Sequence, residues 1–334
     1  MRTRALILLG CAVLLAGLAG CAETGKVAKP EGAAGAPTTL QILHLSDLHI
    51  GANTGERANL NFIVNKTKNK WGGAEIKPLV IITGDLSNDG EVEQFEEAKG
   101  ILEPLSKAGF QMLIIPGNHD YGFIGSWEQL HRFEIFKNRF YTDPKTGQPR
   151  AVDFPLKTEI NGHVLLGLNS MEGYEHDILA SGKLGDIQIT KTALLLNGLE
   201  DRDKKQKVIV YLHHHPFLYP GQPLQKDLIE MIGHLLSDGD KFMDAVSGRV
   251  DILLFGHEHW HLDFTGTKLA TKYEIPIILS AGKSTDKKQV EYKVDYEGVQ
   301  DLNAVLNEGL LGRLITIQDD GTVKVETINF LTIP

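Results

Sequence analysis

The chain has 334 residues, a net charge of −9 from 34 Lys and Arg against 43 Asp and Glu, and a hydrophobic fraction of 42%. This length and composition are those of a globular protein with one large core or two small ones, and they exclude fibrous and intrinsically disordered chains. The acidic balance argues against a nucleic-acid binder, and because both cysteines lie near the N-terminus, a disulfide framework and thiolate metal sites are excluded from the rest of the chain.

The first segment of the chain has the features of an export signal. Two arginines precede an apolar run at residues 5–18, which is too short to span a bilayer and has the length of a signal-peptide core. The run ends in Leu18-Ala19-Gly20-Cys21, which resembles the lipobox of bacterial lipoproteins, whose signal is cut just before the cysteine. We therefore expect residues 1–20 to be a lipoprotein signal peptide and Cys21 to carry the lipid. A plain secretory signal with a chance cysteine is the alternative.

The segment after Cys21 is rich in Ala, Gly, Pro, Thr and Lys and shows no apolar periodicity. Residues 21–39 are therefore predicted to form a flexible tether between a membrane surface and the folded body. We expect an exported protein of the cell envelope that is anchored through Cys21 on the periplasmic or extracellular face. Removal of the signal would take away Arg2 and Arg4 and change the net charge from −9 to −11.

From residue 40 onward, short apolar runs alternate with amphipathic stretches, which is typical of an α/β fold. Several runs are apolar at every position, as expected for strands that are covered on both faces. The predicted strands are Leu40–Leu45, Leu79–Thr83, Gln111–Ile115, His163–Leu168, Val208–Leu212, Ile252–Phe255 and Ile275–Ser280. The predicted helices are at residues 58–68, 91–106, 127–139, 188–199 and 224–236, and a β-hairpin is predicted at residues 312–318 and 322–328.

Polar side chains with metal-ligand chemistry follow the first two of these strands. Asp47 and His49 lie two residues apart, so an extended chain projects both to the same side. Asp85 comes behind a glycine, where the backbone can turn sharply and a metal can approach closely. Each signal is weak alone, because Asp47 and His49 could lie in a surface turn and Asp85 could cap the next helix.

Three later strands end in the same way. The third strand runs into Gly117-Asn118-His119-Asp120, in which an amide oxygen, an imidazole and a carboxylate could supply a ligand, a proton donor and an orienting partner for that donor. Two further strands run into His213-His214-His215-Pro216 and Gly256-His257-Glu258-His259. All of these donors are N or O atoms at the sheet edge where ligands bind in open α/β sheets.

Taken in chain order, these segments resemble the motif series of a known enzyme family. Asp47-x-His49, Gly84-Asp85, Gly117-Asn118-His119-Asp120, His214-x-Pro216 and Gly256-His257-x-His259 resemble the motifs of the calcineurin-like metallophosphoesterases. The resemblance implies an α/β fold in four layers, a sandwich of two mixed β-sheets flanked by helices. It also implies that residues 40–334 form one metallophosphoesterase domain.

The resemblance further implies a dinuclear centre of two divalent or di/trivalent metal ions, whose identity as Mn, Fe or Zn stays open. The implied ligands of one ion are Asp47, His49 and His259, those of the other are Asn118, His214 and His257, and Asp85 bridges both. His214 is chosen among the three adjacent histidines because the family pattern is His, one residue, then Pro. His213 and His215 are expected to point to the other face of the strand end.

The implied activity is hydrolysis of phosphodiester bonds of a small organic phosphate by a metal-activated hydroxide. His119 would donate a proton to the leaving oxygen or a hydrogen bond to the phosphoryl oxygens, and Asp120 would hold His119 in place. A phosphomonoesterase and a non-catalytic lipoprotein that binds metal or a partner are the alternatives. The presence of His119, which is not a metal ligand in the family, argues against the non-catalytic alternative.

This sequence departs from the motifs of individual branches of the family, and these differences narrow the range of candidate substrates. Protein Ser/Thr phosphatases carry an arginine where Gly90 follows Asp89, and purple acid phosphatases carry a tyrosine at the position of Asn88. No nucleic-acid partner is expected, because binding to a phosphate backbone is driven by cationic surface and this chain is acidic. The remaining pattern resembles the compact cyclic-nucleotide and glycerophosphodiester phosphodiesterases.

Overall fold

The computed structural model describes residues 38–122, 129–143, 146–172, 181–218, 235–293 and 303–334. The predicted signal peptide, the tether up to residue 37 and most of the predicted helix at 224–236 lie outside the described residues, and the predicted domain boundaries stay predictions. Among the residues that are described, none of the helices is both long and apolar enough to cross a membrane.

A five-stranded mixed sheet contains the first three strands of the chain and the last two. Its members are β1 (Leu40–Leu45), β2 (Leu79–Thr83), β3 (Met112–Ile115), β12 (Leu311–Ile317) and β13 (Val323–Asn329), in the order β13-β12-β1-β2-β3. The strands β1, β2 and β3 are parallel, whereas β12 pairs antiparallel with both β1 and β13. The C-terminal ends of β1, β2 and β3 therefore lie on the same side of this sheet, and the loops that follow them start there.

An eight-stranded mixed sheet contains the middle of the chain. Its members are β4 (Leu156–Ile160), β5 (His163–Gly167), β6 (Val208–Tyr211), β7 (Ile252–Phe255), β8 (His261–Asp263), β9 (Ile277–Ser280), β10 (Lys288–Lys293) and β11 (Asn303–Glu308). Their order is β11-β10-β8-β9-β7-β6-β5-β4. The central strands β5, β6, β7 and β9 are parallel, so this sheet also has an edge at which several strands end together.

The helices lie between the strands in sequence and cover the sheets. They are α1 (Thr54–Trp71), α2 (Val92–Lys107), α3 (Gln129–Phe140), α4 (Gly185–Asn197), α5 (Gly239–Val246) and α6 (Lys268–Lys272), with a short 3-10 helix at His119–Tyr121. Helix α1 begins four residues before its predicted start because the Asn53 side chain accepts a hydrogen bond of 2.6 Å from Gly55 N and caps the helix.

Two apolar cores show how the sheets are stacked. Along β6, Ile209 and Tyr211 belong to the core that also contains α1, α2 and the five-stranded sheet. Val208 and Val210 point to the opposite face, into a core that contains residues of α4 and α5. Side chains of one strand alternate between the faces of a sheet, so the eight-stranded sheet is covered on both sides. The predicted four-layer arrangement, with two mixed sheets flanked by helices, is confirmed.

The seven predicted strands and the C-terminal hairpin are present, and their ends differ from the prediction by two residues at most. Four strands, β4, β8, β10 and β11, and two helices, α5 and α6, were not predicted. The edge strand β4 has the sequence Leu-Lys-Thr-Glu-Ile with only its outer two residues apolar, and β8 has three residues. Such strands are determined by their neighbours in the sheet, so the local sequence carries little signal for them.

Candidate metal centre

The loops after β1 and β2 are joined by backbone hydrogen bonds that bring their acidic residues together. Asp47 N donates to Gly84 O at 3.1 Å, and His49 N donates to Asp85 O at 2.9 Å. Asp47, His49 and Asp85 have positive φ angles of 53°, 45° and 51°, which is uncommon for residues other than glycine. Such strained backbone is concentrated at functional sites, where it aims side chains that regular strands would direct elsewhere.

A first group of possible ligands consists of Asp47, His49, Asp85 and His259, whose donor atoms all lie within 4.8 Å of one another. The Nε2 atoms of His49 and His259 are 3.0 Å apart, and His259 Nε2 is 3.5 Å from Asp47 Oδ1. His49 Nε2 is 3.7 Å from Asp85 Oδ2. His259 is exposed whereas the other three are buried, so the group opens to solvent at His259.

A second group lies on the other side of Asp85. His213 Nε2 is 3.0 Å from Asn118 Oδ1, 3.2 Å from His257 Nδ1 and 3.3 Å from Asp85 Oδ2. His257 Nδ1 is also 3.1 Å from Asn118 Oδ1. Together with His214, the residues His213 and His257 form a cluster that could hold a metal ion. Asp85 therefore has one carboxylate oxygen within 4 Å of a histidine of each group.

The expectation that His213 points away from the centre is wrong. His213 Nδ1 donates to Thr83 O, the carbonyl at the end of β2, at 2.6 Å, and this bond turns Nε2 toward Asp85. The neighbouring His214 lies beside the same group, but its Nδ1 is 2.7 Å from Ser170 Oγ. His215 Nδ1 is 3.1 Å from Glu258 Oε1. The spacing to Pro216 selected His214, whereas the tertiary contact with β2 places His213 against the carboxylate.

The predicted role of Asp120 as the partner of His119 is also wrong. Its carboxylate accepts hydrogen bonds from Ser87 N at 2.9 Å, Ser87 Oγ at 2.9 Å, Gly117 N at 3.0 Å and Leu86 N at 3.3 Å. Asp120 therefore clamps the loop after β2 to the loop after β3. His119 Nδ1 instead donates to the backbone carbonyl of Asn88 at 2.7 Å, a contact for which the sequence offers no signal.

The electrostatics of the centre favour ionised carboxylates. Burial opposes ionisation of Asp85, but the nearby His213 and His119 hold the pKa of its carboxyl well below the usual value. Burial also opposes ionisation of Asp47, whose pKa is nevertheless lowered by the imidazole of His259 beside it. Burial lowers the pKa of His49 to about 3, whereas Asp85 outweighs the burial of His213 and raises its pKa to about 9. The buried carboxylates thus require positive charge beside them.

Burial raises the pKa of Asp120 to about 6, with Asp85 as the second cause. The hydrogen bonds from Gly117 N and Ser87 act in the opposite direction. Asp120 thus differs from Asp85, because its hydrogen bonds come from backbone N–H groups and the Ser87 hydroxyl, whereas Asp85 also faces the imidazole of His213.

The donor set fits metal ions. Imidazole nitrogens face each other at 3.0 Å in the first group and 3.2 Å in the second, an arrangement that a shared cation would satisfy. Asp47 Oδ1 is buried without a hydrogen bond, as expected for an oxygen that ligates a metal. Imidazole, carboxylate and amide donors without thiolates suit Mn, Fe, Zn or Co.

Glycines let the ligand loops approach closely. A Cβ atom on Gly256 would overlap Ser46 Oγ and lie 2.8 Å from Asp47 Oδ2. A Cβ atom on Gly117 would overlap Asp85 Oδ1 and lie 2.8 Å from the His213 ring. The glycines of the motifs are therefore required for the distances within the centre.

All seven predicted ligands lie at or beside this centre, and their role in binding metal stays a prediction. The sequence does not indicate that His213 faces Asp85 or that the Asn88 carbonyl is the partner of His119. A triplet of histidines does signal a ligand at residues 213–215, but the choice among them depends on contacts between the two sheets.

Known proteins resemble this chain in sequence and in fold. The family model of the calcineurin-like phosphoesterases matches residues 40–261. A probable cyclic nucleotide phosphodiesterase of Coxiella burnetii is 24% identical over 227 residues, which make up 66% of this chain and 76% of that protein.

Two solved structures share the fold at low sequence identity. The purple acid phosphatase from yellow lupin (Lupinus luteus) seeds has a TM-score of 0.58 at 12% identity, with 89% of this chain and 52% of that chain covered. This chain therefore spans about half the length of the lupin enzyme. GAP50, the anchor in the inner membrane complex of Plasmodium, has a TM-score of 0.54 at 10% identity, with 89% and 86% covered.

Proposed function

The chain belongs to the calcineurin-like phosphoesterase family of metal-dependent phosphoester hydrolases, and on that premise we propose that it hydrolyses a phosphodiester of a small organic molecule at a dinuclear metal centre. The observation that carries the proposal is the position of Asp85. Its Oδ2 atom lies 3.7 Å from His49 Nε2 and 3.3 Å from His213 Nε2, between the two groups of possible ligands. A carboxylate in this position can serve both groups.

We assign the two ions to different sets of ligands. Asp47, His49 and His259 would hold one ion, Asn118, His213 and His257 would hold the other, and Asp85 would be shared. When bound, two such ions lower the pKa of water and neutralise charge on the phosphoryl group. His214 lies beside the second set, where Ser170 holds its ring.

His119 is positioned to transfer a proton to the leaving oxygen. Its ring meets that of His49 edge-on, with 4.6 Å between the ring centroids, and its backbone N donates to Asp85 Oδ1 at 2.9 Å. Because Nδ1 already donates to Asn88 O, a proton that reaches substrate must leave from Nε2. General acid catalysis of this kind contributes about 10²- to 10⁴-fold to a rate.

The residue types of the assigned ligands favour a diester over a monoester as the substrate. The assigned ligands are carboxylates, imidazoles and one amide, and none of them carries the guanidinium fork that grips the extra charge of a monoester in bidentate fashion. Similarity to a protein named as a probable cyclic nucleotide phosphodiesterase supports the same choice. A phosphomonoesterase remains the alternative outcome of the assay below.

The proposed substrate lies outside the cytoplasm. The lipobox-like Leu18-Ala19-Gly20-Cys21 supports attachment to a membrane of the cell envelope through a lipid on Cys21. The acidic charge of the chain supports a small phosphoester over a nucleic acid as the partner.

The test is hydrolysis of bis-p-nitrophenyl phosphate and p-nitrophenyl phosphate by the purified protein loaded with Mn²⁺. We expect turnover of the diester that exceeds turnover of the monoester and is abolished by chelation. His119→Ala should retain its metal content, lose about 10²- to 10⁴-fold in the rate with diphenyl phosphate, whose leaving group needs a proton, and lose less with bis-p-nitrophenyl phosphate. Absence of turnover with both substrates would support a binding role, and preference for the monoester would make the protein a phosphomonoesterase.

A further inference from the structure

The orientation of His119 depends on a backbone atom of the neighbouring loop. His119 Nδ1 lies 2.7 Å from the carbonyl oxygen of Asn88. A carbonyl only accepts hydrogen bonds, so this contact requires a hydrogen on Nδ1 and directs proton exchange to Nε2. Whatever fixes the Asn88 carbonyl therefore fixes both the tautomer and the direction of the His119 ring.

The loop that carries this carbonyl is held by one side chain of α2. Gln94 Oε1 accepts hydrogen bonds from Asn88 N at 3.1 Å and from Asp89 N at 2.8 Å. Gln94 Nε2 donates to Asp89 Oδ2 at 2.9 Å, and Asp89 Oδ1 accepts from Asn88 Nδ2 at 2.9 Å. The amide of Gln94 thus bonds to the backbone of two successive residues and to the side chain of the second.

Gln94 is itself fixed by its surroundings. Its amide packs on the backbone of Gly51, where a Cβ atom would lie 2.6 Å from Gln94 Cδ. The next residue, Phe95, is fully buried in the apolar core and anchors this turn of α2. The position of the helix is therefore transmitted through one amide to the loop, and through the Asn88 carbonyl to His119.

We propose that Gln94 is a positioning residue for proton transfer by His119, acting through the Asn88 carbonyl. The inference rests on the proposed function, because it assumes that His119 delivers a proton to the leaving group. Gln94 lies outside every motif of the chain, and its hydrogen bonds go to Asn88 and Asp89, not to the ligand groups or to His119.

The first test compares leaving groups, because a positioning role and a purely structural role differ in this readout. A leaving group that departs readily as an anion needs little proton assistance, whereas a poor one needs much. In Gln94→Ala we expect unchanged metal content, a small loss of kcat with bis-p-nitrophenyl phosphate, and a loss of about 10- to 100-fold with diphenyl phosphate. Equal losses with the two substrates would overturn the proposal.

The second test uses a reversal of the hydrogen bond between residues 89 and 94. Gln94→Glu keeps the acceptor for Asn88 N and Asp89 N but places two carboxylates together, so it should behave like Gln94→Ala. Adding Asp89→Asn restores a donor and an acceptor in the opposite direction, and we expect the double variant to recover most of the activity on diphenyl phosphate. Glu93→Gln changes an exposed neighbour on the same helix turn and serves as the matched control.

A third readout does not depend on turnover. Long-range ¹H–¹⁵N spectra of the protein loaded with diamagnetic Zn²⁺, with His119 assigned by its absence in His119→Ala, should show a hydrogen on Nδ1 in the parent chain and a mixture of tautomers in Gln94→Ala. An unchanged His119 tautomer in that variant would contradict the proposal. If the parent chain hydrolyses neither diester, the proposed function fails, and the spectra still decide whether Gln94 sets the tautomer.

Discussion

At the scale of single residues, His213 and His214 are adjacent, both buried, and differ in what their ring nitrogens reach. His213 Nε2 faces Asp85 and Asn118, whereas His214 Nδ1 is held by Ser170. The sequence predicts a ligand in this histidine triplet but cannot select it, because the selecting contact is Thr83 O on the other sheet. The same is true of Asp120. Its carboxylate accepts four hydrogen bonds that join two loops, and the local sequence does not indicate that the loops meet there.

Metal content separates the two histidines. His213→Ala removes a nitrogen that lies 3.3 Å from the shared carboxylate, so we expect about half of the bound metal to be lost. His214→Ala should keep both ions, and His131→Ala, an exposed position on α3, serves as the control. The measurement is elemental analysis after gel filtration, and loss of metal from His214→Ala with full retention in His213→Ala would reverse the assignment.

His44 on β1 makes the stability of the metal-free protein depend on pH. Burial, with a contribution from Arg313, lowers the pKa of His44 to about 3, compared with 6.5 in an unfolded chain. Below pH 6.5 the unfolded state therefore binds a proton that the folded state does not, and stability is lost as the pH falls. At pH 5 the cost is about 2 kcal/mol.

His44→Gln removes this titration while leaving a side chain that can bond to Thr83 Oγ1, the partner of His44 Nε2 at 2.9 Å. Denaturant unfolding of the metal-free chains at pH 7.5 and 5 should show a smaller loss of stability in His44→Gln than in the parent chain, by about 2 kcal/mol. Identical pH dependence of the two chains would show that His44 does not titrate in this way.

At the scale of elements, two features form the centre. Parallel strands end at the same side of each sheet, and glycines let the loops that follow these strands approach each other closely. The strands β1, β2 and β7 have the predicted ends because every residue in them except the half-buried Gln41 is buried. The edge strands β4 and β11 and the short β8 were not predictable, because pairing with neighbours and not their own sequence determines them.

Two glycine substitutions test the role of close approach. Gly256→Ala would push a methyl group into Ser46 and Asp47, so we expect a loss of about 1–3 kcal/mol of stability and weaker metal binding. Gly100→Ala is the matched control, because it lies inside α2 with open space at its Cβ position and should stabilise the chain by about 0.5–1 kcal/mol. Thermal unfolding with and without metal gives both values, and a Gly256→Ala chain with parental stability and metal content would refute the steric argument.

At the scale of the whole molecule, an acidic chain surrounds a centre that is expected to be positive once its ions are bound. Two divalent ions outweigh the carboxylates of Asp47 and Asp85, since Asn118 and the imidazole ligands are neutral. The sequence was sufficient to predict this composition and the order of the motifs along the chain. It was not sufficient to predict which loop contacts orient the side chains, because those contacts join residues up to about 240 positions apart.

The proposed membrane anchor is a property of the full chain. In the native host, Cys21→Ser should move the protein from the membrane fraction to the soluble fraction, because the cysteine would carry the lipid and dual acylation is needed for stable anchoring. Partition into detergent and mass spectrometry of the N-terminus measure this directly. A parent chain with an unmodified Cys21 thiol, or an unchanged distribution of Cys21→Ser, would contradict lipidation.

Six side chains and the shared carboxylate of Asp85 are proposed to hold two metal ions, and anomalous diffraction from crystals grown with Mn²⁺ is the decisive measurement. We expect two peaks about 3.5–4 Å apart, one beside Asp47, His49 and His259 and the other beside Asn118, His213 and His257, with Asp85 in contact with both. A single peak, or two peaks that do not share Asp85, would contradict it.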